Sequence, residues 1–324
     1  MSTLTSSAVH ADHNSIRECQ VGEFHDPQRP IFPPNLETCL VVHAELFNGW
    51  DRFRSRRPDR SFDDSCSLRP LEYLLPLFTI HGVPKNGNAD NPVTILVNHG
   101  YVVGYSTKYN QPLWAAYQVS KPKKDVDYER FPFFVDDLRL PEGNRIGTDT
   151  FGDDYDLGHM VPNAATNRQY GKLSQMESFL ISNISPQKAN LNRGVWQKLE
   201  FDILNRYPLA GTAQVPKNHV WVIVGPVFSD DPSFLTRKNG LQVAIPESFF
   251  CILARPKRYP YDSPGNSDYI TFLFGQEQTS NQQLAMKFVK NINEIETLTG
   301  LNFFPELTIL MENKIENETA TALW

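Results

Sequence analysis

The stretch Tyr155-Asp156-Leu157-Gly158-His159-Met160 is followed, 33 residues after its histidine, by Asn192 in Leu191-Asn192-Arg193-Gly194-Val195-Trp196, and then by Leu199-Glu200. An imidazole takes a proton from water, a carboxamide oxygen holds a hard cation, and a carboxylate one to two helical turns further on completes the set that a metal-assisted phosphodiester hydrolase needs. Charge around these residues runs against the chain's average. The whole chain carries a formal net charge of -6, which does not announce a nucleic-acid binder. From His159 to Arg206, however, six bases (Arg168, Lys172, Lys188, Arg193, Lys198, Arg206) face three acids (Glu177, Glu200, Asp202), a balance of +3. A solvated polar face accounts for so small an excess equally well, so it adds little.

The elements that must position these residues follow from apolar spacing. With 324 residues, 40% hydrophobic and 12% aromatic, the chain has material for one large packed domain or two modest ones. Val93-Thr94-Ile95-Leu96-Val97, Tyr101-Val102-Val103-Gly104-Tyr105 and Leu113 to Val119 read as strands joined by short turns, which favours antiparallel pairing. Val220-Trp221-Val222-Ile223-Val224 and Tyr269 to Phe274 read as buried central strands. Positions 191, 195, 196, 199, 203 and 204 are apolar, a spacing that lines one face of a helix from Leu191 to Asn205 and brings Asn192 and Glu200 round to nearly the same side. Gln283 to Leu298 reads as a closing amphipathic helix. Strands and helices mixed in this order predict an α+β fold with a central antiparallel sheet.

The domain limits expected from composition are an N-terminal extension over 1–92, polar and loose at first, a main domain over 93–310 and a tail over 311–324. The charged run Asp51 to Arg60 reads as a solvated loop rather than a phosphate-contacting patch. Cys19, Cys39, Cys66 and Cys251 show none of the close pairings of a zinc or redox motif; the first three permit a disulfide in an oxidising compartment, and buried thiols serve as well. The N-terminus lacks the apolar run of a signal peptide, and no span of some 20 apolar residues predicts a membrane helix. The reading is a soluble chain, secreted only if a leader was left out.

Eight blocks, in order, carry a resemblance. They are Gly100-Tyr101-Val102-Val103-Gly104-Tyr105 with Leu113-Trp114, Asp156-Leu157-Gly158-His159-Met160, Glu177-Ser178-Phe179, Ser182-Asn183-Ile184-Ser185-Pro186-Gln187, Leu191 to Trp196, Leu199-Glu200, Val224-Gly225-Pro226-Val227-Phe228 and Thr299 to Pro305. Over residues 93 to about 308 the chain resembles the DNA/RNA non-specific endonuclease family, endonuclease G-like proteins of the ββα-metal (His-Me finger) class. The resemblance implies His159 as general base, Asn192 as the one protein ligand of a Mg2+ ion (with Mn2+ able to substitute), Glu200 as holder of a metal-bound water, and Arg130 as a phosphate clamp. It further implies DNA or RNA as substrate, products with 5′ phosphates, and a homodimer. Two positions depart from the pattern: Leu157 and Leu204 stand where the family has arginine. Each lost guanidinium removes about 2 to 4 kcal/mol of transition-state stabilisation, by analogy with single donor deletions. The aromatic block from His99 to Trp114 also resembles the nuclease-like domain of nucleotide pyrophosphatase/phosphodiesterases, which is inactive. A working endonuclease and a nuclease-like domain kept for binding or support therefore both follow, the first favoured by the survival of His159, Asn192 and Glu200.

Other residues have plainer readings. The seven remaining histidines are satisfied surface or core residues. Asn183 fixes a turn through its side chain. Asp156 orients the histidine loop, Trp196 faces the core with Leu199 and Ile203, and Met160 and Pro162 pack. Arg206, Arg193 and Arg168 are the candidates to replace the missing arginines in space.

Overall fold

The structure, a computed structural model, describes residues 74–120, 128–209, 219–257, 264–279 and 282–324, with the backbone of the two-residue strand Pro30–Ile31. The expectations for the polar arm, the run Asp51 to Arg60 and Cys19, Cys39 and Cys66 lie outside the described residues.

A central sheet is built from β1 (Val93–Val97), β2 (Val102–Ser106), β3 (Gln111–Ser120), β6 (His219–Val227), β7 (Ser248–Pro256), β8 (Ser267–Gly275) and β9 (Val289–Lys290), hydrogen-bonded in that order. All of these pairs are antiparallel; Pro30–Ile31 alone runs parallel, beside β1. β4 (Asp156–His159) and β5 (Ile184–Gln187) form a separate two-stranded ladder. The helices are α1 (Asn163–Tyr170), α2 (Lys172–Glu177), α3 (Gln197–Asn205), α4 (Ile292–Thr299) and α5 (Ile309–Glu316). This is the expected α+β architecture with a central antiparallel sheet flanked by helices.

Successive strand residues point to opposite faces, and both faces of this sheet are covered. Val220, Val222 and Val224 of β6 and Phe249, Cys251 and Leu253 of β7 pack with Trp196, Leu199 and Ile203 of the α3 region. Trp221, Ile223, Phe250 and Ile252 pack the other way, with Ile292 and Ile295 of α4 and with Phe303 and Phe304. Burial on both sides explains why these strands read as unbroken apolar runs.

Two readings of the sequence need correction. The helix predicted over 283–298 is shorter: Val289–Lys290 pair with β8, and α4 starts only at Ile292. Its start is fixed by Asn291, whose side chain accepts the Glu294 N–H at 2.8 Å while the Glu294 carboxylate accepts the Asn291 N–H at 2.9 Å, a reciprocal cap that outweighs the upstream apolar period. The helix predicted over 191–205 is interrupted at Gly194 (φ -109°, ψ -116°), which separates a widened turn, Leu191–Trp196, from α3. Packing also crosses the composition boundaries near 92 and 311. Phe78 and Ile80 are buried with Val93 and Trp114, Lys85–Asn86 pair with Leu301–Asn302, and Ile315 and Trp324 lie against the sheet's two faces.

Asn183 joins these parts at the site. Its Oδ1 accepts the Val161 N–H at 2.9 Å, and its Nδ2 donates to the Val161 and Ser178 carbonyls at 2.9 Å each, all buried. It thereby holds the chain leaving β4 against the turn entering β5. We expect Asn183→Ala to lose about 2 to 4 kcal/mol, because three buried backbone groups lose their partners. Urea unfolding followed by intrinsic fluorescence measures this; an unchanged midpoint would show that Asn183 does not brace the ladder.

Candidate active site

The site is carried by a strand, strand, helix unit. β4 and β5 pair with Asp156 opposite Gln187, Leu157 opposite Pro186, Gly158 opposite Ser185 and His159 opposite Ile184, and the chain then turns through Leu191–Trp196 into α3. Alternation along β4 puts Leu157 and His159 on one side of the ladder. Gly158 must lack a side chain, since a Cβ there would stand 2.6 Å from Gln187 Oε1 and 2.7 Å from Gln187 Cβ.

Asp156 reaches from β4 to the helical turn. Its carboxylate accepts two bonds from Arg193, Nε at 2.8 Å and Nη2 at 2.6 Å, and one from Asn192 Nδ2 at 2.9 Å. Burial by itself would raise this carboxyl, but the bonds from Arg193 and Asn192 outweigh it and hold Asp156 below the usual carboxylate range. With Nδ2 committed to a carboxylate, the amide orientation of Asn192 is fixed and its Oδ1 is left as the free acceptor.

His159 is half-buried between aromatic rings, with centroids 5.5 Å from Phe134 and 5.3 Å from Phe179. Desolvation by these neighbours, and then the charge of Arg130, pull its imidazole down to about 3, so the ring is neutral throughout the physiological range. Its Nε2 is shut from solvent and makes no hydrogen bond. The Arg130 guanidinium lies over the Phe179 ring at 4.9 Å. Desolvation pushes the Glu200 carboxyl up to about 8, a rise that the Trp196 indole and Arg130 only partly offset. The indole N–H itself closes no hydrogen bond of good geometry.

A cleft of about 430 Å³ gathers His159, Asn192, Glu200 and Arg130 on its walls, together with Arg168 and Arg193. Leu157 and Leu204, the two departures, line it as well. Arg168 is steadied by Asn205, its Nη1 donating to Oδ1 at 3.0 Å. Arg206, expected as a third substitute, is turned elsewhere: its Nη1 pairs with Asp202 at 3.2 Å. Trp196 is buried as read from its spacing, packing on Phe249 and Phe274. Sequence reasoning passed over Phe134 and Phe201, the first against His159 and the second in the cleft wall. The signal for Phe201 was there, an aromatic next to Glu200 and off the apolar face of the helix. Among the described residues no three of His, Cys, Asp and Glu cluster closely enough to hold a metal ion. No helix among them is long and apolar enough to cross a membrane.

A covered antiparallel sheet with a ββα unit that collects an imidazole, a carboxamide and a carboxylate in one cleft defines the class of ββα nucleases. The family model for DNA/RNA non-specific endonucleases matches residues 81–308, and the chain belongs to that family. The human mitochondrial nuclease EXOG is 26% identical over 243 residues, covering 70% of this chain and 60% of its own length. The chain thus spans under two thirds of that relative. A nuclease of Serratia marcescens is 27% identical over 227 residues, covering 68% of this chain and 77% of its own. Among solved structures, the crystal structure of an EndoG/EndoGI complex matches with a TM-score of 0.55 and 19% identity over 72% of this chain and 92% of the other, a likeness of fold.

The two perturbed groups make stability depend on pH in opposite senses. Folded, Glu200 keeps its proton to about pH 8; unfolded, it loses it near 4.5. The folded protein therefore holds an extra proton between those values, and Glu200 makes stability fall as pH rises through that window. His159, at about 3 folded and 6.5 unfolded, makes stability fall as pH drops from 6.5 towards 3. We expect Glu200→Gln, without metal and in EDTA, to melt several degrees above the parent at pH 8.5 and level with it at pH 4.5. Differential scanning calorimetry checks this, and equal melting temperatures at pH 8.5 would refute a desolvated, neutral Glu200 carboxyl.

Proposed function

We propose that this chain is a Mg2+-dependent, sugar-non-specific endonuclease that hydrolyses phosphodiester bonds of DNA and RNA to 5′-phosphate products. One observation carries the reading: His159, Asn192 and Glu200 share a cleft with Arg130, Arg168 and Arg193, on a ββα unit tied together by Asp156.

The donor set fits a hard, strongly hydrated cation. Asn192 Oδ1 and the Glu200 carboxyl group are oxygen donors, few enough to leave such an ion most of its waters, and the ion's charge would favour loss of the Glu200 proton. Asn192 would hold the ion directly, and Glu200 would hold it through a water. When bound, Mg2+, or Mn2+ in its place, supplies positive charge to the phosphoryl oxygen and to the leaving 3′ oxygen.

The remaining steps belong to the chain's own groups. Arg130 clamps the scissile phosphate, with Arg168 beside it in place of a guanidinium group absent at Leu157 and Leu204, while Arg193 at the wall stays bound to Asp156. His159 accepts a proton from the water that attacks phosphorus in line with the 3′ oxygen. The phosphorus to 3′ oxygen bond breaks, leaving a 5′ phosphate and a 3′ hydroxyl protonated from solvent. Desolvation first, and after it the charge of Arg130, depress the His159 imidazole in the free site. A phosphate paired with Arg130 cancels that field, so the base gains proton affinity when substrate is in place.

The second reading is a nuclease-like domain that binds without cutting; the leucines at 157 and 204 in the cleft wall favour it. Plasmid relaxation with purified protein separates the two. We expect nicking of plasmid and degradation of RNA that need Mg2+, stop with EDTA, and fall by a factor of a hundred or more in His159→Ala and Asn192→Ala, within the range for a general base. Protein that cuts neither nucleic acid at any Mg2+ concentration would leave only the second reading.

A further inference from the structure

The cleft has one wall that hydrolysis of a phosphodiester does not require. Phe201 follows Glu200 on α3, lines the same cleft, and is 55% exposed. It lies off the helix face that Trp196, Leu199 and Ile203 bury, so the core has no use for its ring. A phenyl group left in water beside a set of guanidinium groups costs hydrophobic free energy that occupancy of the cleft recovers. Lys198 stands over one face of the ring at 5.2 Å from its centroid and is tethered to Asp202 at 2.9 Å, which adds a cation beside the cleft. A flat apolar group with cations around it suits a nucleobase whose phosphates those cations hold.

We propose that Phe201 is a stacking platform for an unpaired base next to the scissile phosphate, so that this site grips single-stranded or locally unpaired nucleic acid more tightly than paired duplex. The inference deepens the nuclease reading and rests on it for the identity of the polyanion. Two further observations agree. Leu157 and Leu204 line the same cleft with aliphatic side chains, a surface that suits the apolar face of a base and not a phosphate. The Arg130 segment also presents exposed aromatics, Tyr128 and Phe133, and Phe133 lines a separate depression of about 820 Å³ together with Phe134, whose ring packs on His159. In a duplex both faces of each base are already stacked on their neighbours, whereas an unpaired strand offers them freely.

The test is binding without turnover. On the His159→Ala background with Mg2+, fluorescence anisotropy follows a labelled twelve-nucleotide single strand and the same sequence as a duplex. Phe201→Ala is expected to weaken single-strand binding roughly fivefold or more, the lower end for one lost stack, and duplex binding less than twofold. Phe201→Trp restores the single-strand affinity, and in the active enzyme Phe201→Ala raises KM for single strands more than it lowers kcat. Equal binding of both strand types before and after the change overturns the proposal. So does a lower oligomer mass by light scattering with strand binding intact, since the ring then serves a contact between copies. A parent that cuts nucleic acid but ignores Phe201→Ala defeats this inference alone; a parent that cuts nothing yet loses single-strand binding in Phe201→Ala defeats only the catalytic reading.

Discussion

Everything at the site depends on one carboxylate that crosses from a strand to a helix. Asp156 stands three residues before His159 on β4, and its two oxygens take bonds from Asn192 and Arg193 on the turn before α3. The distance between the imidazole and the carboxamide is thereby set by a charge-assisted contact rather than by loose packing of a helix on a sheet. The same contact aims Asn192, because an amide whose nitrogen is bound to a carboxylate presents its oxygen on the other branch. The widened turn at Gly194 belongs to this arrangement: interruptions of this kind gather at functional sites, where they re-aim a side chain that a regular helix would carry elsewhere.

The site is held in a state the isolated residues would not choose. His159, half-buried against Phe134 and Phe179, is kept neutral, and Glu200, half-buried beside Trp196, is kept protonated to about pH 8, both by loss of water around the charged form. Both perturbations have one main cause, the loss of water around the charged form of each group, and perturbed groups of this kind gather in functional clefts. The stability this costs is supplied by the two-sided sheet and by braces such as Asn183, which satisfies three buried backbone groups at once. The cleft also departs in character from a purely electrostatic grip. Three guanidinium groups remain, but aliphatic and aromatic side chains occupy much of the wall between them.

Much of this was legible in the chain. The strands at 93–97, 101–105, 113–119, 220–224 and 269–274 were readable because both faces of the sheet are buried, so apolar runs are continuous. β7 escaped notice although Phe249 to Ala254 is equally apolar, since Cys251 and Ala254 dilute the β-branched signal that marked its neighbours. The closing helix was read too long because an apolar period says where a helix can run, whereas a cap says where it begins. His159, Asn192 and Glu200 stood out through type and spacing, and Trp196 through its place on the inward face.

Sequence by itself determined the elements, the two apolar faces and the residue types able to move a proton or hold a hard cation, because these follow from local periodicity and from side-chain chemistry. Tertiary structure decided which arginines meet the cleft, sending Arg206 to Asp202 and leaving Arg168 and Arg193 at the wall. It also decided that Asp156 grips Asn192, that two phenyl rings surround His159 and that Phe201 stays in water. Those outcomes depend on contacts between residues tens of positions apart, on directions of side chains across a folded interface, and no spacing along one strand or helix encodes them.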